Sequence, residues 1–459
     1  MNRFKFFSIT LFFFLTSMLV PIPQVNKENN DINIEKVNTK PGEVSVITYG
    51  AKPNDSKDDT AAIQAAIQAV SDEKGIVRFP AGTFLIDTHP NTGSLQMKHN
   101  LTIILDEKTI LKSIPNNSPV YRMFTIYNDN NVTITGGTLI GDRYQHQGST
   151  GEYGYGIYIG GNSNRITISN VKTKDFWGDG FIIEGDESAN IYPTNIELTN
   201  CVATNNRRQG ISITAGKNIT VKNSTFSRSN GTAPEAGIDV ERNYPFNLPL
   251  ENVRLENNQL LNNNGYGLSF IYASNNLAKN NLIKGNQKGG VYLGGKVNEG
   301  ETKNNSLLNN VISNNGNSSD ASTGNGINVN FAPANQIIGN IIKENTRSGI
   351  HLVNHVGENI IQNNRINKNG RNGIYIWGGL YNQSGIVVQF NEINSNQATG
   401  LSLLSVTQAK VIENRIISNK GVGIYVENAK ESIIERNYLK NNQSDEIIQY
   451  TLKQSKIKK

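Results

Sequence analysis

The chain has 459 residues, of which 18% are charged and 36% are hydrophobic, with a net charge of +6 at pH 7 and one cysteine, Cys201. A single cysteine excludes an internal disulfide framework, and a mean hydropathy of -0.43 excludes a protein with several membrane spans. The small positive charge comes partly from a Lys-rich C-terminus, so the composition does not indicate a nucleic-acid-binding protein and is compatible with an acidic substrate.

The N-terminus has the pattern of an export signal. Arg3 and Lys5 precede an apolar run at residues 6–20, which is the arrangement of a secretory signal peptide. The run is shorter than the roughly 20 residues that a membrane span needs, and no small-residue cleavage site follows it. We therefore predict a signal peptide or N-terminal anchor at residues 1–23 and a secreted or cell-surface location. The polar residues 24–43 predict a linker.

The next segment, residues 44–75, predicts a first strand and a helix. Asp58, Asp59 and Thr60 are typical of a helix start. The apolar residues that follow recur on one helical face, at Ile63, Ile67 and Val70. We expect this helix to cap the N-terminal end of the repeat that follows, because an open end would expose apolar core and unpaired backbone.

A glycine-marked repeat dominates residues 76–445. The glycine is followed by an apolar, a variable and another apolar residue, at a mean spacing of about 27 residues. Alternating apolar residues predict a strand with one buried face in each repeat. Asparagine recurs at the corners between strands, where it tolerates left-handed backbone angles. The glycines are Gly156, Gly180, Gly210, Gly237, Gly267, Gly290, Gly326, Gly349, Gly373, Gly400 and Gly423.

Short strands and tight corners at this period predict an all-β fold. We expect a single-stranded right-handed parallel β-helix, a solenoid, with an N-terminal capping helix. A leucine-rich horseshoe would need a leucine-dominated repeat, and a propeller would need four antiparallel strands in each blade. The basic residues 446–459 predict a C-terminal tail outside the solenoid.

Three stretches resemble the N-terminal segment of pectate-lyase-like β-helix proteins: ITYGAK at 47–52, DDTAAIQAAI at 58–67 and VRFPAGTF at 77–84. That superfamily includes rhamnogalacturonases, polygalacturonases, polysaccharide lyases, uronan epimerases and phage tailspike depolymerases. The resemblance implies a β-helix that acts on a glycan, without choosing the reaction. Of the polygalacturonase motifs, only Asp179 between two glycines is present. His-Gly, Arg-Ile-Lys and the pectate-lyase arginine motif are missing, which argues against galacturonan hydrolysis.

Function is expected on the outward face of the glycine-marked strands. The residues two and four places after each glycine should point outward and form two columns where the repeats stack in register. Polar and aromatic side chains in such columns suit a sugar chain. The first column contains Tyr158, Ile182, Ser212, Asp239, Ser269 and Tyr292, and the second contains Gly160, Glu184, Thr214 and Glu241.

Carboxylates concentrate on three neighbouring repeats of this face. Asp179, Glu184, Asp239 and Glu241 are the predicted catalytic residues. Asp239 and Glu241 should have Cα atoms about 6.6 Å apart, and Glu184 should lie two repeats, or about 9.6 Å, from Glu241. Inverting glycosidases hold their acid and base about 6.5 to 9.5 Å apart to admit a water. Solvated ion pairs on an exposed strand would explain the same residues without chemistry.

The predicted substrate-binding residues surround these acids. An arginine grips a uronate carboxylate with two hydrogen bonds, and an aromatic ring stacks on a sugar. His351 and His355 lack an accompanying acid motif, so a catalytic or metal-binding role is not favoured for them. The substrate-binding set is Tyr158, Trp177, Arg207, Arg208, Glu235, Arg242 and Tyr292.

Three functions remain open at this point. The favoured one is a secreted glycoside hydrolase that cleaves a polysaccharide with paired carboxylates. The first alternative is a polysaccharide lyase or uronan epimerase that uses Ca²⁺ on an acidic glycan. The second is a noncatalytic surface protein that binds glycans.

Overall fold

The computed structural model describes residues 42–70, 72–243, 248–296, 302–317, 323–379 and 383–457, all within the unit Lys40–Lys459. The predicted signal peptide or anchor, and the linker up to residue 41, lie outside the described residues. Within this part of the chain, no helix is both long and apolar enough to cross a membrane. The chain forms a right-handed parallel β-helix, which confirms the predicted fold class.

Each coil gives one strand to each of three parallel sheets, in the order first, second and third sheet. Over the described residues, the first sheet has 16 strands: β1 (Glu43–Ser45), β2 (Gly75–Phe79), β5 (Leu101–Leu105), β8 (Asn130–Thr135), β11 (Asn164–Ser169), β14 (Thr194–Thr199), β17 (Gly216–Lys222), β20 (Leu250–Glu256), β23 (Leu277–Lys279), β26 (Ser306–Leu308), β29 (Gln336–Ile338), β32 (Ile360–Gln362), β36 (Val387–Gln389), β40 (Lys410–Ile412), β43 (Ile433–Glu435) and β46 (Lys456–Ile457).

The second sheet has 14 strands in the same ranges: β3 (Gly82–Ile86), β6 (Thr109–Ser113), β9 (Thr138–Ile140), β12 (Lys172–Lys174), β15 (Val202–Thr204), β18 (Thr225–Ser227), β21 (Gln259–Leu261), β24 (Leu282–Lys284), β27 (Val311–Ser313), β30 (Ile341–Lys343), β33 (Arg365–Asn367), β37 (Glu392–Asn394), β41 (Arg415–Ile417) and β44 (Tyr438–Lys440).

The described part of the third sheet also has 14 strands: β4 (Leu95–Gln96), β7 (Val120–Tyr127), β10 (Tyr153–Gly160), β13 (Phe181–Glu184), β16 (Ile211–Ile213), β19 (Ile238–Glu241), β22 (Tyr266–Ile271), β25 (Gly289–Gly294), β28 (Asn325–Asn330), β31 (Ile350–Val353), β34 (Ile374–Trp377), β38 (Leu401–Leu404), β42 (Val422–Glu427) and β45 (Ser444–Tyr450). Two further short strands, β35 (Gln383–Ser384) and β39 (Val406–Thr407), pair with each other.

The solenoid continues beyond the boundary predicted at residue 445. Strand β45 pairs with β42 in the third sheet, and β46 pairs with β43 in the first. Residues 446–457 are therefore not a separate tail, because main-chain pairing continues the alternation of sheets to Ile457. At the other end, β1 pairs with β2, so the segment predicted at 44–75 joins the same sheet system.

The helix α1 (Thr60–Ala69) lies at the start of the solenoid, after a short 3-10 helix at Val46–Tyr49. Oδ1 of Asp58 accepts a hydrogen bond from the backbone N–H of Thr60 at 2.9 Å, which fixes the helix start. Ile63 and Ile67 are buried in the same apolar core as the strands of the first coils. The N-terminal helix that the apolar spacing predicts is present, and its apolar face is the one that packs on the solenoid.

The core lies inside the coils. Residues one place after the repeating glycine are aligned on successive strands of the third sheet and are at most 1% exposed, as at Ile157, Phe181, Ile211 and Ile238. The alternation read from the sequence therefore separates an inner apolar face from an outer face.

Pairs of asparagines build the corners. Asn363 has a φ of +56°, and the next residue, Asn364, is 1% exposed. The Asn364 side chain donates to the carbonyl O of Ile337 and to Oδ1 of Asn391, and its own Oδ1 accepts from the backbone N–H of Asn340. Repeated from coil to coil, this ladder provides partners for backbone groups that leave the sheets at the corners.

The repeating glycine is required by the close approach of neighbouring coils. A Cβ on Gly373 would lie 2.6 Å from the carbonyl O of Gly400 and 2.3 Å from Cγ2 of Ile393. The same collision with the carbonyl O of the next repeat glycine recurs at most positions of the column, Gly180 and Gly423 excepted.

Long loops lie at the ends of several third-sheet strands. Residues 141–152 precede β10, residues 228–237 precede β19, and residues 185–193 follow β13. These loops border the part of the sheet where the acidic residues are predicted.

Candidate active site on the third sheet

The two predicted columns are in register on the third sheet. At one level of the outer face, successive strands carry Tyr158, Ile182, Ser212, Asp239 and Ser269. At the second level, Gly160 pairs with Glu184, and Glu241 pairs with Ile271. The glycine spacing therefore gives the correct alignment of coils.

Asp239, on the first level of the outer face, and Asp179, which directly precedes the repeat glycine Gly180, are both buried. Asp179 is 0% exposed and Asp239 is 3% exposed, whereas Glu184 and Glu241 are partly exposed. The predicted open surface is therefore covered at this point. We call Asp179, Glu184, Asp239, Glu241 and Arg208 the carboxyl cluster.

Arg208 is the cation at the centre of the carboxyl cluster. Its Nη1 donates to Oδ2 of Asp179 at 2.9 Å and to Oγ of Ser212 at 3.3 Å, and its Nε lies 3.7 Å from Oε1 of Glu152. The side chain is 18% exposed. The predicted grip of Arg208 on a substrate carboxylate needs correction, because its donors serve carboxylates of the protein and hold the acids together.

A chain of hydrogen bonds links Asp179 to Asp239. Oγ of Ser212 lies 2.7 Å from Oδ2 of Asp179 and also contacts Oε1 of Gln209, whose Nε2 donates to Oδ2 of Asp239 at 2.8 Å. Ser212 has one hydroxyl hydrogen and faces two acceptors. A proton on Asp179 removes this competition. The protonation of Asp179 therefore affects Asp239 through Ser212 and Gln209.

Asp239 and Glu241 lie two residues apart on the outer face of β19 and influence each other's ionisation. Burial raises the pKa of both groups, and the negative charge of Asp239 raises the pKa of Glu241 further. Among the described residues, Oδ1 of Asp239 has no hydrogen-bond partner. That this pair serves as acid and base stays a prediction.

The other two acids also hold their protons more tightly than usual. Burial raises the pKa of Asp179 to about 6, against the opposing effects of Arg208 and Ser212. Burial also raises the pKa of Glu184, and Arg122 opposes that rise. Raised pKa values in one group of acids are typical of catalytic sites, although buried ion pairs produce them too.

Glu184 and Glu241 are the acids that reach the surface. They lie at the same level of the third sheet, two strands apart, with Thr214 between them where the register of β16 continues. Two strand spacings separate their Cα atoms by about 9.6 Å. The Cα spacing of this pair is close to the upper end of the separation between carboxyl groups that admits a water.

Two of the predicted sugar-stacking residues contact protein side chains. The guanidinium carbon of Arg122 lies 3.5 Å from the ring centroid of Tyr158, which is 4% exposed. The Trp177 ring stacks on His146 at 4.1 Å between centroids and on the guanidinium of Arg207 at 3.8 Å. Tyr158 is therefore not open to a sugar, whereas Trp177 is partly exposed and its contact with a sugar stays a prediction.

The remaining predicted residues lie outside the carboxyl cluster. Arg207 donates to the carbonyl O of Gly151 at 3.0 Å and so holds the loop at 141–152. Oε1 of Glu235 accepts from the backbone N–H of Gly231 at 2.6 Å within the loop at 228–237. Burial raises the pKa of Glu187. Arg242, which follows β19, opposes that rise. Tyr292 lies two strands from β19, with its ring 5.2 Å from that of Tyr266.

Sequence reasoning missed Arg122, Gln209 and Glu152. Arg122 lies on β7, one strand before the first glycine of the column, so the glycine alignment does not reach it. Phe124 pairs with Ile157 of the first marked repeat, and simple alternation from Phe124 would assign Arg122 to the inner face, so the repeat pattern carries no signal for Arg122. Gln209 directly precedes a repeat glycine, and Glu152 lies in a long loop, where no periodicity indicates a role.

A calcium site does not fit the carboxyl cluster. Across the described ranges, no group of three or more His, Cys, Asp or Glu side chains is arranged to hold a metal ion. In the cluster itself, the Arg208 guanidinium takes the place among the acids that Ca²⁺ would need for its six to eight oxygen ligands.

The fold is similar to solved proteins that act on or bind glycans. A module of mannuronan C-5 epimerase AlgE4 from Azotobacter vinelandii is 17% identical, with a TM-score of 0.52 over 90% of this chain and 100% of the module. A mutant tailspike protein of E. coli bacteriophage HK620, in complex with a pentasaccharide, is 15% identical, with a TM-score of 0.64 over 87% of this chain and 78% of the tailspike.

A curated relative and a family model also match the sequence of this chain. The uncharacterized protein YclG of Bacillus subtilis (strain 168) is 38% identical over 213 residues, which are 41% of this chain and 36% of YclG. The match thus spans about a third of that relative. A family described as "Right handed beta helix region" matches residues 122–331, 231–365 and 325–458. The chain therefore belongs to the right-handed β-helix family, with the fold of the pectate-lyase-like superfamily that its N-terminal segment resembles.

Proposed function

We propose that this protein is a glycoside hydrolase that cleaves a polysaccharide on the outer face of its third sheet, with inversion of configuration. The observation that carries the proposal is the pair of partly exposed acids, Glu184 and Glu241, which lie two strands apart above buried carboxyl groups. Two strand spacings put their Cα atoms about 9.6 Å apart, close to the upper end of the 6.5 to 9.5 Å that separates the carboxyl groups of inverting enzymes, and the side chains set the final distance.

Glu241 is the proposed general acid. A general acid must hold its proton near neutral pH, and burial together with the charge of Asp239 raises the pKa of Glu241. Asp239 is therefore a positioning residue, which keeps the proton on Glu241 and orients it. Arg208 and Gln209 in turn hold the buried acids in place.

Glu184 is the proposed general base. Arg122 opposes the rise of its pKa, so Glu184 ionises more readily than it would by burial alone. In the reaction, Glu184 takes a proton from water while the water oxygen bonds to the anomeric carbon. Glu241 gives its proton to the glycosidic oxygen as the C–O bond breaks. The products are a new reducing end of inverted configuration and a free hydroxyl group.

The similar solved structures support a polysaccharide as the ligand, since one is a mannuronan epimerase module and another binds a pentasaccharide. A polymeric substrate outside the cell also agrees with the export signal predicted at residues 1–23, and we propose that the protein is secreted or displayed at the cell surface.

The test is a panel of neutral and acidic polysaccharides incubated with the purified protein, with and without a chelator. We expect new reducing ends without unsaturated-uronate absorbance, and NMR should show inversion at the anomeric carbon. Unsaturated products would replace the hydrolase with a lyase, changed uronate stereochemistry without cleavage would indicate an epimerase, and binding without any product would indicate a glycan-binding protein.

Site variants then test the assignment of the acids. We predict that Glu241→Gln and Glu184→Gln each lower kcat by roughly 100-fold or more, because each removes a proton-transfer group. Glu427→Gln is the matched control, since Glu427 occupies the same level of the third sheet on the distant strand β42. Loss of activity in the control, or full activity in Glu241→Gln, would contradict the assignment.

A further inference from the structure

A cleft lies at the N-terminal end of the third sheet, beside the carboxyl cluster. Its volume is about 310 Å³, and its lining includes Ser94, Gln96, Arg122, Thr125 and Tyr127. Arg122 lies on β7, two strands before Glu184 on β13, which corresponds to about 9.6 Å between the strands. A polymer that crosses Glu184 and Glu241 therefore continues into this cleft if it follows the outer face of the sheet.

Arg122 is a cation that no described acid contacts as an ion pair, although its charge opposes the rise in the pKa of Glu184. Its guanidinium is held flat against the ring of Tyr158, at 3.5 Å from the ring centroid. Its Nε is buried and has no hydrogen-bond partner, and no described residue forms an ion pair with it. Nε of Arg208 is also buried without a hydrogen-bond partner, but Nη1 of Arg208 donates to Asp179, so that its charge is paired within the protein. Arg122 lines the cleft, and a carboxylate is the group that fits the planar fork of a guanidinium there.

The rest of the cleft suits the other parts of a sugar. The hydroxyl groups of Ser94 and Thr125 lie 3.1 Å apart, and Nε2 of Gln96 donates to Oγ of Ser94 at 3.2 Å. Tyr127 is 39% exposed, and its hydroxyl donates to Oδ2 of Asp186 at 2.6 Å, which fixes the ring at the rim. Fixed polar groups beside an exposed aromatic ring match a sugar residue, which has hydroxyl edges and an apolar face.

The backbone of the cleft is held in an uncommon conformation. Ser94 has a φ of +90°, and a Cβ on the preceding Gly93 would lie 1.9 Å from the carbonyl O of Asp87. Conformations of this kind persist where surrounding contacts enforce them, and they concentrate at binding sites.

We propose that this cleft is a subsite for an acidic sugar, in which Arg122 pairs with the carboxylate of a uronic acid residue. The inference rests on the proposed function in one respect, that this face binds a polysaccharide, and it specifies that the polysaccharide is acidic. The subsite binds the residue next to the cleavage site; Arg122 touches no reacting atom and influences proton transfer only through the pKa of Glu184.

The experiment measures binding by isothermal titration calorimetry on the Glu241→Gln protein, so that turnover does not interfere. The probes are oligomers of galacturonate, glucuronate, mannuronate and guluronate, each beside its carboxyl-reduced neutral counterpart, and a sulfated neutral oligosaccharide. We expect at least one oligouronide to bind roughly tenfold or more tightly than its neutral counterpart, since a charged hydrogen-bonding pair is lost on reduction. Preference for the sulfated probe would replace the uronate with a sulfate ester and overturn the proposal.

Variants in the same background locate the effect. Arg122→Gln should remove the preference for the oligouronide and leave the affinity for the neutral counterpart within about twofold, while Arg122→Lys should keep part of the preference. Arg165→Gln, on the first sheet at β11, is the control and should change neither affinity. Circular dichroism melting checks that Arg122→Gln is folded.

Two results would overturn the subsite without touching the proposed function. One is equal affinity for charged and neutral probes, and the other is an unchanged preference in a folded Arg122→Gln. Conversely, tight oligouronide binding that depends on Arg122, in a protein without any hydrolytic activity, would keep the subsite and remove the hydrolase.

Discussion

Four carboxyl groups and one central guanidinium cannot all be charged in the small volume of the carboxyl cluster. Arg208 balances one negative charge, and Arg122 lies close enough to Glu184 to oppose the rise of its pKa. Protons balance part of the remaining charge, which is why the pKa values of Asp179, Asp239 and Glu241 also rise. Stability should therefore depend on pH in a definite direction.

We predict that Asp179→Asn flattens the pH dependence of stability between about pH 4 and pH 6. The pKa of Asp179 is about 6 in the folded protein and 3.8 in its ordinary state, so the folded chain holds the proton more tightly. The contribution of Asp179 is fully present below pH 4 and is lost as the pH rises through 6, by on the order of 3 kcal/mol.

Urea midpoints at several pH values for wild type and Asp179→Asn measure this difference. The other acids of the cluster keep part of the slope in the variant, so the comparison of slopes is the readout. Asp106→Asn, at an exposed turn, is the control and should keep the wild-type slope. Parallel curves for Asp179→Asn and wild type would contradict the role of burial at this residue.

At the scale of the element, the corner decides how coils stack. Neighbouring asparagines at one corner have different tasks, since Asn363 supplies a left-handed backbone angle and Asn364 supplies hydrogen bonds. The first task needs a residue that tolerates positive φ, which glycine does as well. The second needs a buried amide with both a donor and an acceptor.

We predict that Asn364→Ala destabilises the protein by about 3 kcal/mol, while Asn363→Gly changes stability by less than about 1 kcal/mol. The alanine leaves the backbone N–H of Asn340 and the carbonyl O of Ile337 without their buried partner. Chemical denaturation of both variants measures the contrast, with Asn363→Gly as the matched control one residue away. Similar losses for both would mean that backbone angle, and not the amide ladder, dominates the corner.

At the scale of the molecule, the solenoid is a stack whose coils contact their neighbours, so its ends need cover. Helix α1 packs on the first coils through residues such as Ile63 and Ile67, which are at most 1% exposed. The core continues from that helix along the inner faces of all three sheets. Loss of the helix contact should therefore expose the end of a continuous apolar core.

We predict that Ile67→Asp destabilises the protein by about 4 kcal/mol or more and promotes self-association, because a charge at this position opens the N-terminal end of the core. Thermal melting and size-exclusion chromatography with light scattering measure the two effects. Ala65→Asp, on the exposed side of the same helix, is the matched control and should remain monodisperse. A monodisperse, stable Ile67→Asp would show that α1 does not protect the end of the solenoid.

The sequence by itself determined the fold, because the glycine spacing and the alternation around it repeat often enough to fix the period, the inner face and the register. Ile157, Phe181 and Ile211 are aligned as the spacing indicates, and so are Ser212 and Asp239 on the other face. The end of the solenoid was missed, since no repeat glycine follows Gly423 to mark β45 or β46.

Only the tertiary structure decided which outward residues are accessible and which of them touch. A column read from a repeat gives each side chain a position along the sheet, but burial depends on irregular loops and on long side chains from other coils. Arg208 therefore lies among the acids instead of at the surface, the Trp177 ring stacks on His146 and Arg207, and Arg122 lies against Tyr158 at a cleft. Repeats are local and periodic and can be read from one chain, whereas these contacts join residues with no fixed spacing.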